Sequence, residues 1–174
     1  MTMDEEIFTE VPWDLTIQVL LDSLLRARRD LYVDPMLNDP WVCDPRRCRP
    51  LLGPNLCCKV ERRCPHLRDD ACAIHKLKPF GCALFPLDLI RVGGIRVVTT
   101  VKNPEFFATG WCRYDRDMLR CFDGEQRTTR TMFEAQRPVL ERVFTRAEIV
   151  LLERRLRKAG EGDPPLAAGA GAGS

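Results

Sequence analysis

Cysteine is the residue type with the clearest chemistry in this chain. Seven of the nine cysteines lie between positions 43 and 82, together with both histidines. Thiolates that converge on one ion can hold zinc or an iron–sulfur cluster. These cysteines stand among proline, arginine and aspartate, so packing as small hydrophobes explains them poorly. We predict a cysteine-ligated metal centre with eight ligands: Cys43, Cys48, Cys57, Cys58, Cys64, Cys72, Cys82 and Cys112.

Eight thiols are enough for two four-ligand sites. Neighbouring side chains of an extended chain point to opposite sides. Cys57 and Cys58 therefore either serve two centres or divide into one ligand and one packed residue. Cys121 has apolar neighbours and is expected to pack as a small hydrophobe. His66 and His75 are further candidate ligands, and His75 is better suited to donating a hydrogen bond to a cysteine sulfur.

The charge of the cysteine-rich segment fits a centre built from thiolates. Between Cys43 and Cys82, nine lysines and arginines stand against four aspartates and glutamates, an excess of five positive charges. Four thiolates on one zinc ion or one 4Fe–4S cluster carry a net charge of about −2. Two such sites would bring the segment close to neutrality. The basic groups also favour the thiolate form, although the same excess could meet phosphates.

The chain has 174 residues, is 45% hydrophobic and has a formal net charge of +2, which gives no whole-chain case for nucleic acid or membrane. Its first ten residues are acidic and unlike a secretory signal, and no apolar run is long enough to span a bilayer. We expect a cytoplasmic protein, in which disulfides are rare. We also expect a single domain over residues 1–160 and a flexible tail over residues 161–174.

The segments before the cysteines are expected to differ in order. Residues 1–11 are polar and should fray. Apolar residues at helical spacing predict an amphipathic helix over residues 12–31, ended by Asp34-Pro35. Five prolines in residues 32–58 exclude a helix or a central strand there. Few apolar side chains are available to offset the entropy of ordering, so metal ligation should hold this segment.

The segments that follow predict a short helix and a hairpin. Residues 66–78 could form the helix. Two runs rich in β-branched residues flank Gly93-Gly94 and predict a hairpin with a tight primed turn over residues 87–101. This hairpin should act as scaffold, carrying the chain away from Cys82 and returning it towards Cys112.

The C-terminal part is expected to be helical over residues 125–158. Pro138 should break or kink the first helix, a Thr145–Glu148 capping box should start the second, and Gly160 should end it. Its many arginines read as a solvated face, with a patch for nucleic acid or an acidic partner as the alternative. The predicted fold is mainly α with a small β-hairpin (α+β). In it, an irregular, metal-wrapped core over residues 43–112 is flanked by N- and C-terminal helices.

The segment from Cys64 to Pro86 reads C-P-H-L and later C-A-I-H-K-L-K-P-F-G-C-A-L-F-P. This pattern resembles the YkgJ-type cysteine-cluster family, described as zinc- or iron-chelating domains, which has C-P-x-L and then C-x-I-(Y/H)-x-x-R-P-x-x-C-x-x-F-P. Cys57-Cys58 match the family's double cysteine, and Cys112 suits its late one. The resemblance spans about residues 43–112 and implies a bound metal.

Two features of the chain depart from the family pattern. The family opens with C-x-x-C-x-x-C-C, whereas here four residues follow Cys43 and eight follow Cys48 before the double cysteine. Lys78 and Ala83 stand where relatives usually have arginine. Any anion or partner that those arginines bind in relatives should be bound more weakly here.

Ligand type alone allows both iron–sulfur and zinc. Zinc ribbons use paired C-x-x-C knuckles, which this chain lacks, and the irregular spacing with proline after Cys64 suits loops that wrap a cluster. We therefore favour one or two iron–sulfur clusters of the 4Fe–4S type, in a structural or redox role, with Zn²⁺ as the alternative.

Two further hypotheses stay open. One is a zinc-binding structural or interaction module that uses the basic C-terminal face for nucleic acid or an acidic partner. The other is a metal-dependent modifying enzyme or accessory subunit. Ser-His-Asp, paired-carboxylate and phosphate-loop patterns are absent from the sequence, so we do not expect an enzyme that acts on its own. We expect a protein partner of unknown identity and no membrane partner.

Overall fold

A computed structural model of the protein describes residues 7–10, 30–42, 67–68, 71–72, 80–103 and 128–161. Within these ranges the strands are β1 (Thr9–Glu10), β2 (Leu31–Val33), β3 (Leu67–Arg68), β4 (Ala71–Cys72), β5 (Leu87–Val92) and β6 (Ile95–Thr100). The helices are a 3-10 helix (Pro35–Asn38), α1 (Phe80–Leu84), α2 (Met132–Leu140) and α3 (Arg146–Gly160). The fold is of the α+β class. Residues 12–29 of the predicted N-terminal helix and residues 162–174 of the predicted tail lie outside the described residues.

β5 and β6 form the predicted hairpin. They pair antiparallel from Leu87 opposite Thr100 to Val92 opposite Ile95. Gly93 and Gly94 make the turn with φ angles of 55° and 82°. Positive φ at both turn residues matches the twist of the flanking strands, and glycine adopts it without a Cβ clash. The prediction of a primed turn is confirmed.

Two short strands from the N-terminal part of the chain extend this hairpin on both edges. β1 pairs parallel with β5 and β2 pairs parallel with β6, which gives the strand order β1-β5-β6-β2. Phe8 is buried beside β1, so the expectation that residues 1–11 fray is wrong for residues 7–10. Leu31 begins β2, so the predicted helix does not extend to that residue.

Asp34-Pro35 starts a helix and does not end one. Asp34 is the N-cap of the 3-10 helix, and its side chain accepts a hydrogen bond from Met36 N at 2.9 Å. Pro35 is well suited to the first helical position, where a missing N–H leaves no partner unsatisfied. An aspartate before a proline therefore acted here as a start signal.

Residues 30–42 are ordered by packing against the core. The prediction that no helix forms in residues 32–58 is wrong for the 3-10 helix. The prediction that no central strand forms there is compatible with β2, which is an edge strand. The expectation that metal ligation must hold residues 32–58 is also wrong for this first part. The segment contributes four buried apolar side chains: Leu31, Val33, Leu37 and Trp41.

α3 begins and ends on the predicted signals. Thr145 Oγ1 accepts from Glu148 N at 3.3 Å, and the Glu148 carboxylate accepts from Thr145 N at 2.8 Å. The helix runs to Gly160. Asn38 donates to Leu156 O at 2.9 Å, which ties the last turns of α3 to the 3-10 helix.

α2 starts at a second capping box, between Thr131 and Glu134, which we did not predict although T-M-F-E is the same pattern. Residues 128–131 are not helical, so the prediction of a helix from residue 125 is wrong there. Pro138 lies inside α2 without ending it. Proline has no N–H for the carbonyl four residues earlier, and the Arg130 guanidinium donates to that Glu134 carbonyl at 2.9 Å instead.

The prediction of a short helix over residues 66–78 is wrong where the structure describes it. β3 and β4 pair antiparallel, with Leu67 opposite Cys72 and Arg68 opposite Ala71. The two residues between the strands are aspartates, which favour turns because their side chains compete for nearby backbone groups.

The core lies between the sheet and the C-terminal helices. Arg155 donates to Leu31 O, and Arg96 forms an ion pair with Glu148 at 2.6 Å, so α3 is held to the edge of the sheet. No helix in the described ranges combines the length and the apolar character that crossing a membrane requires. The most deeply buried apolar residues of the core cluster are Leu31, Leu37, Leu89, Val98, Met132, Leu140, Ile149 and Leu152.

Thr131→Ala should lower the free energy of unfolding by about 1 kcal/mol, because it leaves a backbone N–H at the start of α2 without its acceptor. Urea denaturation would measure the change. Thr129→Ala is the matched control, since Thr129 is exposed and lies just before the helix. Equal midpoints for the two variants would contradict the capping role.

Candidate metal centre

Three chain segments meet at one place, which we call the neck: residues 39–42, residues 102–103 and residues 128–132. Trp41 N donates to Arg130 O at 3.0 Å. Met132 N donates to Asp39 O at 2.9 Å. The Lys102 ammonium forms an ion pair with the Asp39 carboxylate. The neck is thus closed by backbone pairing on one side and by opposite charges on the other.

A buried carboxylate fastens the neck to the sheet. Asp34 is 1% exposed and accepts from Thr99 Oγ1 at 2.7 Å and from Asn103 Nδ2 at 2.6 Å. Burial raises the pKa of Asp34 above the ordinary carboxyl value. The hydrogen bonds from Thr99, Asn103 and Met36 N lower the pKa, the Asp39 charge raises it, and the effect of burial prevails.

The neck is where the cysteine-bearing stretches join the described fold. Residues 43–79 begin at the neck, and residues 104–127 both begin and end there. Together the two stretches contain eight of the nine cysteines and both histidines. Cys43 directly follows the neck, and Cys112 lies nine positions beyond it, a span of at most about 30 Å. Chain connectivity therefore limits how far Cys43 and Cys112 can lie from the neck.

Cys82 is the candidate ligand whose side chain lies within the described part of the structure. It is half-buried and in no disulfide. Phe80 and Leu84 lie one helical turn apart in α1 and pack against the core. Cys82 is rotated about 200° from Phe80 around the helix axis, so its thiol lies on the outer side of α1.

The end of α1 is anchored by groups other than the thiol. Gln136 Nε2 donates to Phe85 O at 2.6 Å. Thr100 Oγ1 donates to Pro86 O at 3.1 Å, and Val101 N donates to the same carbonyl at 3.0 Å. These bonds join the F-P end of the motif to α2 and to β6. Cys82 is therefore presented by a helix whose position does not depend on its thiol.

Cys72 lies in β4, where its backbone is opposite Leu67. Leu67 ends the C-P-H-L element, so chain connectivity keeps Cys64 within about 10 Å of Leu67. The pairing thus brings the first two cysteine-containing parts of the motif together. His75 was placed one helical turn after Cys72, and that argument fails because Cys72 is in a strand.

The remaining predicted site residues lie outside the described residues, as does Cys121. In the described ranges, no three His, Cys, Asp or Glu side chains come together as a metal site would require. Convergence of the cysteines on an ion stays a prediction. The predicted ligands outside these ranges are Cys43, Cys48, Cys57, Cys58, Cys64, Cys112, His66 and His75.

Some charged side chains of the arginine-rich C-terminal helices form ion pairs with each other. Arg137 pairs with Glu141 at 2.8 Å and also with Glu153. Two of the exposed cations lie in the last turn of α3, where the helix dipole favours positive charge. A solvated helix face accounts for this pattern. The exposed cations of α3 without an ion-pair partner among the described residues are Arg146, Arg154, Arg157 and Lys158.

Three polar residues that organise this region were not predicted. Asp34 could have been found from the D-P pair, which is a helix start signal as well as a stop signal. Gln136 and Trp41 carry no such local signal, because their partners are about fifty and ninety positions away in sequence.

Comparison of the chain with models of known protein families, with curated proteins and with solved structures finds no match. The resemblance to the YkgJ-type family therefore depends on the cysteine motif itself.

Asp34→Asn should change how stability varies with pH. Because the pKa of Asp34 is raised in the folded state, its protonated form stabilises the fold below the ordinary carboxyl value, and this contribution is lost as the pH rises through the folded value. The amide variant lacks this titration. The difference in unfolding free energy between wild type and variant should therefore shrink from acidic to neutral pH.

Urea denaturation at a series of pH values would measure this difference. Asp30→Asn is the control, because Asp30 is exposed at the start of the same segment. A pH profile for Asp34→Asn that runs parallel to that of wild type would show that Asp34 does not titrate differently in the folded state.

Gln136→Met should loosen the end of α1 because the Phe85 carbonyl loses its side-chain donor. We expect a loss of stability of about 1 kcal/mol and faster amide hydrogen exchange in residues 80–86. The β5–β6 hairpin serves as the internal control, with unchanged exchange. Unaltered exchange in α1 would mean that Gln136 does not hold this helix.

Proposed function

We propose that this protein binds metal through a cysteine-ligated centre, with an iron–sulfur cluster as the favoured occupant and a structural or redox role. The observation that carries the proposal is the junction of the cysteine-bearing stretches at the neck. Residues 43–79 and 104–127 both begin there, and they hold every candidate ligand except Cys82. Joined ends lower the entropy lost when distant thiols gather on one ion.

The chemistry of Cys82 supports the proposal. Its thiol is free of disulfide bonding and only partly buried, so it is available as a soft ligand. Gln136 and Thr100 hold the end of α1 through the backbone, so ligation by Cys82 would not disturb the core. Ligands on a rigid element bind a metal with less loss of freedom than ligands on a loop.

Iron–sulfur is favoured over zinc on spacing and charge. The cysteine intervals lack the paired C-x-x-C knuckles of zinc ribbons, and the excess of five positive charges between Cys43 and Cys82 would balance clustered thiolates. An iron–sulfur cluster supplies one-electron chemistry when bound and also holds its ligand loops together. Zinc in the same thiolates would leave only the structural role.

The interaction-module hypothesis is less well supported. Arg96, Arg137 and Arg155 interact within the fold, so they are not all available to an acidic partner. The exposed cations of α3 form a short row on one helix, which charged solvent-facing helices commonly have. We therefore keep the metal centre as the proposed function, with any protein partner unidentified.

Protein purified without oxygen should contain about one to two zinc ions, or four to eight irons with a matching amount of acid-labile sulfide. Elemental and sulfide analysis would separate the two metals. Cys72→Ser and Cys82→Ser should each lower the metal content by at least one zinc ion or one iron–sulfur cluster per protein, because serine is a poor ligand for these ions.

Cys121→Ser is the matched control and should retain the full metal content. The urea midpoint of the sheet core should change little in Cys82→Ser, because α1 is anchored by other groups. Wild-type protein without metal, or serine variants that keep all of it, would overturn the proposal.

A further inference from the structure

The sheet has two faces, and the described helices pack on one of them. Side chains alternate between the two faces along a strand, and directly opposed residues of neighbouring strands share a face. Leu89 of β5 and its partner Val98 of β6 belong to the core cluster, to which α1, α2 and α3 all contribute. We call this side of the sheet the first face.

The opposite side, which we call the second face, is apolar at the end next to the hairpin turn. Four side chains form two cross-strand pairs there: Ile90 with Val97, and Val92 with Ile95. Each of the four is no more than 5% exposed, yet none belongs to the core cluster. An apolar sheet face is shielded from water only when another layer packs on it. The cover of this patch therefore comes from a part of the chain other than the described helices.

The composition of β6 fits a strand that is covered on both sides. Val97 and Val98 are consecutive, point to opposite faces and are both 0% exposed. Strands buried on both faces carry continuous apolar runs, whereas strands with one wet face alternate between apolar and polar residues. The second face is thus built to be packed against.

Chain connectivity distinguishes the segments that are available as a cover. Residues 43–79 and 104–127 begin at the neck, which follows the last residue of β6. The neck and the hairpin turn lie at opposite ends of β6. These two stretches therefore leave the fold at the end of the sheet away from the apolar patch.

Residues 11–29 leave and re-enter the sheet at the end where the patch lies. They connect Glu10, which is the partner of Arg91, to the start of β2, where Leu31 is the partner of Arg96. Arg91 and Arg96 are opposite each other, one position from the residues that flank the turn. Both ends of the segment are thus held beside the apolar patch, one at each edge of the sheet.

The length and pattern of this segment match the patch. β1 and β2 are separated by three strand spacings, about 14 Å. A helix over residues 12–29 has a length of about 27 Å, enough to cross the sheet obliquely and cover the patch. Its sequence predicts one apolar stripe at helical spacing: Trp13, Ile17, Leu20 and Leu24.

We propose that residues 12–29 form an amphipathic helix that docks on the second face of the sheet, with its apolar stripe against the patch beside the turn. The sheet then lies between two layers of helix. This inference goes beyond the proposed function and does not depend on it, because the patch is at the end of the sheet opposite the neck.

Methyl NMR on the full-length protein tests the docking. Isoleucine and leucine methyl groups are labelled with ¹³C, and the isoleucine signals are assigned with single Ile→Val variants. We expect nuclear Overhauser contacts from Ile17, Leu20 or Leu24 to the methyl groups of Ile90 and Ile95. Contacts of Ile90 and Ile95 with residues 43–79 or 104–127, and none with residues 12–29, would overturn the inference.

A mixture of labelled and unlabelled protein separates this docking from contact with a second copy of the chain. We expect the contacts to arise within one molecule. Contacts that arise only between molecules would assign the cover to a second copy and would also overturn the inference. A protein that holds no metal but shows the expected contacts would overturn the proposed function alone.

Hydrogen exchange gives a second test with a matched pair of variants. Leu20→Asp places a charge in the apolar stripe and should speed amide exchange in residues 90–97 several-fold relative to wild type. Gln18→Asp adds the same charge to the same segment away from the stripe, so it should leave that exchange unchanged. Equal exchange rates in the two variants would contradict the docking.

Discussion

Backbone pairing between residues 39–41 and residues 130–132 is the constraint on which the rest of the arrangement depends. It joins two parts of the chain about ninety positions apart, and each part borders a stretch that carries cysteines. The buried Asp34 carboxylate adds a third part of the chain through Asn103 and fastens all of them to β6 through Thr99. The hydrogen bonds of Asp34 with Thr99 and Asn103 are buried, so losing either partner would leave a buried polar group unsatisfied.

The packed sheet and helices differ in composition from the cysteine-bearing stretches. The sheet and the C-terminal helices are stabilised by apolar burial, with Leu89, Val98, Met132 and Leu152 among the most buried side chains. Residues 30–42 pack against this core through four buried apolar side chains: Leu31, Val33, Leu37 and Trp41. Residues 43–79 are rich in proline and charge, whereas residues 104–127 have one proline and several large apolar side chains. α1 links the core to a candidate ligand, because its apolar face packs against the core while Cys82 lies on the opposite side of the helix.

Local signals predicted the elements whose cause is local. Gly93-Gly94 specifies a primed turn because glycine alone adopts positive φ freely at both positions, and Thr145 with Glu148 caps α3 through neighbouring backbone groups. One error came from a distant partner and another from a side chain that is close in sequence. Leu31 joined a strand because β6 offered an open edge for pairing. Pro138 stayed inside α2 because the Arg130 guanidinium satisfied the carbonyl that proline left free.

The sequence by itself determined the chemistry that this protein can offer, because the ligand strength of a thiol and the charge around it belong to the residues and not to the fold. It also determined the hairpin and the helix caps, whose partners are neighbours in the chain. Only the tertiary structure decided that the two cysteine-bearing stretches share the neck, and that α1 keeps Cys82 outward while Gln136 and Thr100 hold its end. These features depend on contacts between residues far apart in sequence, and such contacts exist only once the core has packed.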